Sequence, residues 1–239
     1  MVSQSDKAKI ARSFSRSAAS YDSQAALQRD MGKKLLTMLK GEHKNILDVG
    51  CGTGELARAL AWRFPLAKIH GIDIAPGMIE QAKRFSGADF SLADGEGTSF
   101  SSASYDLIIS CAALHWMNLK AFANESSRLL TPGGTLSIAT FGPKTMEELR
   151  QLGLRVNQFP NEKELQKSFV PFFDDIDILT EERRLHFSSL KEFIAGLRKL
   201  GGRQAFQSMG RNKFFPRQIL NKELFVSYQI IYLQGIVKK

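Results

Sequence analysis

The sequence predicts an α/β fold built on a parallel sheet with crossover helices on both faces. Three observations carry this. Short aliphatic runs recur between residues 46 and 141. Segments with helical apolar spacing separate them. A glycine-rich turn joins the first such run to the helix behind it, as in the strand–turn–helix units of parallel sheets.

The elements follow in order. Residues 7–40 read as helical, with Leu27, Met31, Leu35, Leu36 and Met38 at helical spacing and Gly41 as the stop. Residues 45–49 read as the first strand, entering Gly50-Cys51-Gly52-Thr53-Gly54, and a helix runs from Glu55 to Arg63. Residues 68–74 form the second strand, and Ala75-Pro76-Gly77 turns the chain into a helix through Met78, Ile79 and Ala82. Residues 90–94 and 105–110 are the third and fourth strands. A helix over 119–130 ends at Thr131-Pro132-Gly133-Gly134, and residues 135–141 are the fifth strand.

The alternation weakens after Phe141. Residues 142–172 read as helical and polar, and 176–187 as a long strand or hairpin arm. Residues 188–200 fit an amphipathic helix with Leu190, Phe193, Ile194 and Leu197 on one side, and 224–237 reads as a last strand. No linker divides the chain. Residues 1–239 are read as one domain, with N-terminal helices over 1–44, a core over 45–142, a cap over 143–216 and the final strand in 217–239.

Composition bounds the function. With 239 residues, 43% of them apolar and 24% charged, the chain suits a globular domain with a sizeable core. No stretch approaches the ~18 apolar residues of a membrane helix. Residues 1–9 are polar and lack a signal peptide's apolar region. A cytoplasmic protein without a membrane partner is expected. Cys51 and Cys111 are the only cysteines, in no CxxC pair and at no zinc spacing, so neither a metal nor a disulfide is expected. A net charge of +9 favours an acidic partner.

The glycine turn is the first chemical signal. Alternate glycines let the backbone pass close to a ligand, at the carboxyl end of a strand where ligands of open sheets bind. Asp73 closes the second strand, where an acid accepts from ribose hydroxyls. Asp94 closes the third, where an acid can accept from an adenine amino group. The order G-x-G-x-G with Glu55 opening the helix argues against a dinucleotide, because Asp48 and Glu55 repel a pyrophosphate and suit a cationic ligand end. No Gly-Lys-Ser/Thr follows, which excludes a P-loop.

As a set, these acids and glycines, with Pro132-Gly133-Gly134 before the fifth strand, resemble the class I S-adenosylmethionine-dependent methyltransferases. The resemblance implies a Rossmann-like fold: a seven-stranded, mostly parallel sheet with one antiparallel strand, helices on both faces and a helical cap. It implies S-adenosylmethionine as cofactor, bound by Asp48, Gly50, Cys51, Gly52, Gly54, Asp73, Ile74, Met78, Asp94, Gly95 and Cys111.

Flanking segments narrow the family. Residues 10–29, Leu114-His115-Trp116, residues 137–143, Leu185-His186-Phe187, residues 197–201 and residues 228–239 are similar to the malonyl-acyl-carrier-protein O-methyltransferases of biotin synthesis. Asn157-Gln158-Phe159 stands where many members carry Asn-Arg-Phe. The resemblance implies methyl transfer to the free carboxylate of malonyl on acyl carrier protein, or on coenzyme A. Tyr21 is expected over the methionine end and His115 beside the substrate, both as catalytic candidates. Trp116, Arg155, Arg198 and Arg203 are the substrate-binding candidates, an Arg being able to grip a carboxylate in a bidentate way. Lys199, Arg203, Arg211, Lys213 and Arg217 are expected to meet the acidic carrier. The rival readings are an RNA methyltransferase, a methyltransferase of small free acids, and a non-catalytic cofactor-binding assembly factor. Nucleic acid is not the expected partner, because Ser110-Cys111-Ala112-Ala113 replaces a base-methylating Pro-Pro-Tyr motif.

Overall fold

The computed structural model describes residues 4–154, 156–201 and 221–238. Its seven strands are β1 (Asn45–Val49), β2 (Lys68–Asp73), β3 (Asp89–Leu92), β4 (Tyr105–Cys111), β5 (Leu130–Phe141), β6 (Phe173–Phe187) and β7 (Leu224–Val237). They form one sheet in the order β3-β2-β1-β4-β5-β7-β6. The pairs among β1 to β5 are parallel, and β7 runs antiparallel to both β5 and β6. The single antiparallel strand expected from the sequence is therefore β7, inserted between β5 and β6.

The helices are α1 (Gln4–Tyr21), α2 (Ala26–Met38), α3 (Glu55–Arg63), α4 (Pro76–Ala82), α5 (Leu119–Leu129), α6 (Glu147–Gln151), α7 (Glu162–Phe169) and α8 (Leu190–Lys199). Alternation along the central strands divides the core in two. Ile46, Leu107 and Ile109 pack with Met31 and Leu35 of α2 and Leu60 of α3. Leu47, Val49 and Ile108 pack with Phe122 of α5 and Leu165 and Phe169 of α7. Helices cover both faces, so the central strands are near-continuous apolar runs.

Two expectations change. The helical stretch read over 7–40 is divided into α1 and α2 by a break at 22–25. Gln24 N donates to Tyr21 O at 2.9 Å, and Asp22 accepts from Thr53 Oγ1 at 2.5 Å, which ties the break to the glycine turn. Both helices present apolar faces, so apolar spacing runs through the break unmarked. Residues 142–172 are helical only in α6 and α7. Gly153, at φ +77°, ends the first. Asn161 caps the second by accepting from Glu164 N at 2.9 Å, while Glu164 accepts from Asn161 N at 2.9 Å. Among the described residues, no helix is long and apolar enough to cross a membrane.

Helix α1 lies across α4 and against α8. A Cβ on Gly77 would sit 2.6 Å from Ser15 O, so only glycine allows the contact with α4. Ser17 Oγ donates to Arg198 O at 3.1 Å, Ser20 Oγ to Lys199 O at 3.1 Å, and Ser13 Oγ to Gly201 O at 2.9 Å. These hydroxyls satisfy carbonyls that the last turn of α8 leaves open. Gly77→Ala is expected to lift α1 off α4 without disturbing the core. Hydrogen–deuterium exchange should then quicken across residues 4–21 while the thermal midpoint shifts little. Unchanged exchange in α1 would show that this contact does not hold the helix.

Candidate active site

Three adjoining cavities open at the carboxyl ends of β1, β2 and β4, around the glycine turn. Gly50, Gly52 and Gly54 have φ of +73°, +55° and +82°, a region L-residues rarely adopt. A Cβ on Gly50 would lie 2.3 Å from Ala113 Cβ, and one on Gly54 3.0 Å from the Phe90 ring. A Cβ on Gly52 would meet nothing within 4 Å. Gly50 and Gly54 thus serve packing, and Gly52 leaves open the wall that two cavities share. Gly54 lines none of the three cavities and instead begins α3.

The first cavity, of about 70 Å³, runs beneath α1 toward β3. Asp73 lies on its wall, accepting from Gly52 N at 3.0 Å and Ala75 N at 2.8 Å. Burial raises its carboxyl to about 6, against the pull of these backbone donors. Ile74 and Met78 supply apolar wall. Asp94 and Gly95 close the far end, where a Cβ on Gly95 would lie 2.4 Å from Val49 Cγ1. Asp94 is not bare: Lys7 Nζ of α1 sits 2.6 Å from Oδ2 and also 2.7 Å from Glu96 Oε1.

The second cavity, of about 120 Å³, lies between α2 and the start of α3. Asp48 is buried there, and its Oδ2 has no hydrogen-bond partner among the described residues. Burial and the nearby charge of Asp73 push its carboxyl up to about 8. Gln28 Oε1 is a second buried acceptor without a partner. Glu55, the other acid expected to face a cation, is drawn aside to Arg58 Nη2 at 2.8 Å. Cys51 and Cys111 line the same cavity as free thiols, kept protonated by burial.

The third cavity is the largest, about 310 Å³, and aromatic. His115 follows β4 on a single 3₁₀ turn, with its ring centre 4.9 Å from Trp116, 5.3 Å from Phe141 and 5.5 Å from Phe159. Burial drives its imidazole down to about 3, so the ring is neutral, and its Nδ1 is buried without a partner. Trp116 lines both this cavity and the first. Tyr21 lines all three, and burial raises its phenol, which stays protonated.

The cationic candidates are not brought together here. Arg198 is exposed on α8 and lines none of these three cavities, because the helix turns its neighbour Leu197 inward and carries residue 198 away. Arg155 and Arg203 lie outside the described residues, as do Arg211, Lys213 and Arg217. Among the described residues, no Arg or Lys lines the aromatic cavity, and no group of His, Cys, Asp or Glu is placed to hold a metal.

Sequence reasoning missed the contribution of α1. Lys7, Ile10 and Phe14 join Tyr21 in the first cavity, spaced by three, four and seven residues on one helix face. That spacing was available as a signal. Phe141, Phe159, Phe193 and Tyr228 of the aromatic cavity come from separate elements, with no spacing to link them.

The methyltransferase-domain family matches residues 46–134. The chain is 33% identical over 261 residues to the malonyl-[acyl-carrier protein] O-methyltransferase of Acetivibrio thermocellus, covering 98% of this chain and 90% of that protein. It is 32% identical to the biotin biosynthesis bifunctional protein BioHC of Cellvibrio japonicus, covering 95% of this chain but only 50% of that protein. Among solved structures, phosphoethanolamine N-methyltransferase 2 of Haemonchus contortus in complex with S-adenosyl-L-methionine matches with a TM-score of 0.61 at 16% identity, covering 93% of this chain and 57% of that one. That likeness shows the Rossmann-like class I fold.

The neutral His115 gives a pH test of the aromatic cavity. Its folded pKa lies far below the unfolded value of about 6.5, so its contribution to stability is full above that pH and is lost as pH falls below it. The stability of His115→Phe relative to the parent should therefore rise as pH drops from about 6.5 to about 4.5. A constant difference between the two melting curves over that range would mean that the ring is solvated.

Proposed function

This chain belongs to the malonyl-[acyl-carrier protein] O-methyltransferase family, and we propose that it transfers the methyl group of S-adenosylmethionine to the free carboxylate of malonyl held on an acyl carrier protein. The observation that carries this reading is the junction at Tyr21. There a cleft lined by acids meets an aromatic cavity.

The residues present fit the cofactor. The unpartnered Asp48 Oδ2 and Gln28 Oε1 suit a cationic end, Asp73 suits ribose hydroxyls, and Asp94 with Ile74 and Met78 suits an adenine. When bound, the cofactor supplies a methyl carbon on a sulfonium, whose leaving thioether is neutral and needs no acid. The acceptor needs no base either, since a carboxylate with pKa near ~4 is ionised at neutral pH. The chain's task is to hold that oxygen in line with the methyl and away from water.

Tyr21 stands where the two must meet, and Trp116 walls both sides. His115, being neutral, would give a hydrogen bond to the acceptor and not a charge. The charge that locates the carboxylate is assigned to Arg155 and Arg203. Arg198 and Lys199, exposed at the end of α8, are assigned with Arg211, Lys213 and Arg217 to the surface that meets an acidic carrier. A carrier-bound substrate fits a cytoplasmic place for the chain.

Transfer of labelled methyl should be fastest to malonyl-acyl carrier protein, slower to malonyl-coenzyme A, and absent with RNA or small free acids. Reversing Arg211, Lys213 and Arg217 to Glu should slow the carrier reaction and spare the coenzyme A reaction. Labelled RNA, or no transfer to any acid, would sink the reading.

Cofactor affinity should also depend on pH. The Asp48 carboxyl titrates at about 8 in the free protein, and a cationic ligand favours its ionised form. Binding at neutral pH should therefore release a proton, and affinity should climb with pH until Asp48 is ionised. Asp48→Asn should flatten the curve. Calorimetry in buffers of different ionisation enthalpy reads the proton directly, and a flat curve for the parent protein would remove Asp48 from the site.

A further inference from the structure

The aromatic cavity has polar walls but no charged ones. Among the described residues, no Arg, Lys, Asp or Glu lines it. His115 follows β4, Phe141 ends β5 and Tyr228 lies on β7, three neighbouring strands of the sheet. Gly142 N donates to Gln229 O at 2.8 Å, which holds the end of β5 beside β7. The Phe141 ring centre is 5.3 Å from that of His115 and 5.9 Å from that of Tyr228, so imidazole and phenol flank one ring.

Both groups are neutral, and the fold uses neither. His115 Nδ1 is buried without a partner, and burial keeps the ring uncharged. Burial and the charge of Glu148 raise the Tyr228 phenol, so it stays a donor. Glu148 is itself engaged, accepting from Ser227 N at 3.0 Å, and no hydrogen bond joins it to the Tyr228 hydroxyl among the described residues. Leaving buried polar groups unpaired is costly. Tyr21 and Gln28 also line this cavity but belong equally to the second one, whereas His115 and Tyr228 line this cavity alone.

We propose that His115 and Tyr228 hold the thioester carbonyl of the acyl substrate and so select a thioester over a free diacid. This rests on a malonyl thioester being the methyl acceptor. A malonyl group carries its reacting carboxylate at one end and, one methylene away, a carbonyl that is polar and uncharged. With the carboxylate at Tyr21, the carbonyl enters the aromatic cavity, where neutral donors match a neutral acceptor. A second carboxylate in that place, as in free malonate, would lose its hydration and meet no opposite charge among the described residues.

A substrate that lacks only the carbonyl tests this on the full chain. Labelled-methyl assays compare a malonyl group with a 2-carboxyethyl group on the same carrier thiol, a thioether with a methylene in place of the carbonyl. Tyr228→Phe keeps the ring and removes one hydroxyl. Tyr228→Phe and His115→Phe should each lower kcat/KM for the thioester by roughly three- to tenfold and leave the thioether unchanged. If the thioether is not turned over, its inhibition constant against the malonyl substrate gives the same comparison. Retained affinity for S-adenosylhomocysteine shows that the variants are folded. A loss shared by both substrates, or no loss for the thioester, overturns the carbonyl assignment alone. A parent protein that methylates no malonyl thioester overturns the functional reading beneath it.

Discussion

The left-handed backbone at Gly50, Gly52 and Gly54 sets the position of the acids at the ends of β1 and β2. Gly50 N and Cys51 N donate to Ile72 O at 2.8 and 3.0 Å, and Gly52 N donates to Asp73 at 3.0 Å. The turn is thereby fastened to β2, and Asp73 is fastened to the turn. The same path leaves Asp48 buried directly before it. Two carboxylates are so held in buried positions, and the charge of Asp73 adds to the cost of ionising Asp48. Among the described residues Asp48 Oδ2 has no hydrogen-bond partner, and a ligand with positive charge would suit it.

The second constraint is the double attachment of α1. Gly77 lets it lie against α4, and Ser13, Ser17 and Ser20 bind it to the end of α8. Phe14 and Tyr21 on this helix face both the acid-lined cleft and the aromatic cavity. A shift of α1 therefore changes the two compartments together. Lys7 adds an electrostatic tie at the helix's first turns, because its ammonium reaches Asp94 and Glu96 beside the end of β3.

Much of the fold was legible because two strong signals coincide. Apolar runs marked β1, β2, β4 and β7 nearly to the residue, and the glycines marked the turn between β1 and α3. Asp48, Asp73 and Asp94 were legible as acids at successive strand ends, since parallel strands carry their carboxyl ends to one edge. The break between α1 and α2 was not, because Asp22 ends the helix through a bond to Thr53, a contact that no local pattern records. Gln28 and Arg29 stood inside a segment read as helical and as similar to a family, and only the folded chain brings them to the cavity that Asp48 lines. Arg198 was chosen for its charge, and the inward turn of Leu197 carries it to the outside.

Charge and aromatic surface are separated across Tyr21, and that separation assigns different work to the two compartments. On one side, Asp48, Asp73 and Asp94 with Lys7 and Arg29 can select a ligand by the placement of its charges, and small changes there alter affinity. On the other, Phe141, Phe159 and Trp116 surround a histidine that burial keeps neutral. Such a wall excludes water and supplies shape, but does little to attract an anion. An anionic acceptor entering this cavity loses hydration that the aromatic rings do not replace. Its charge must then be met from the cap or from the sulfonium itself. On the proposed reading, holding the acceptor would depend on an occupied cofactor cleft, and Tyr21, which lines both compartments, is the side chain placed between them.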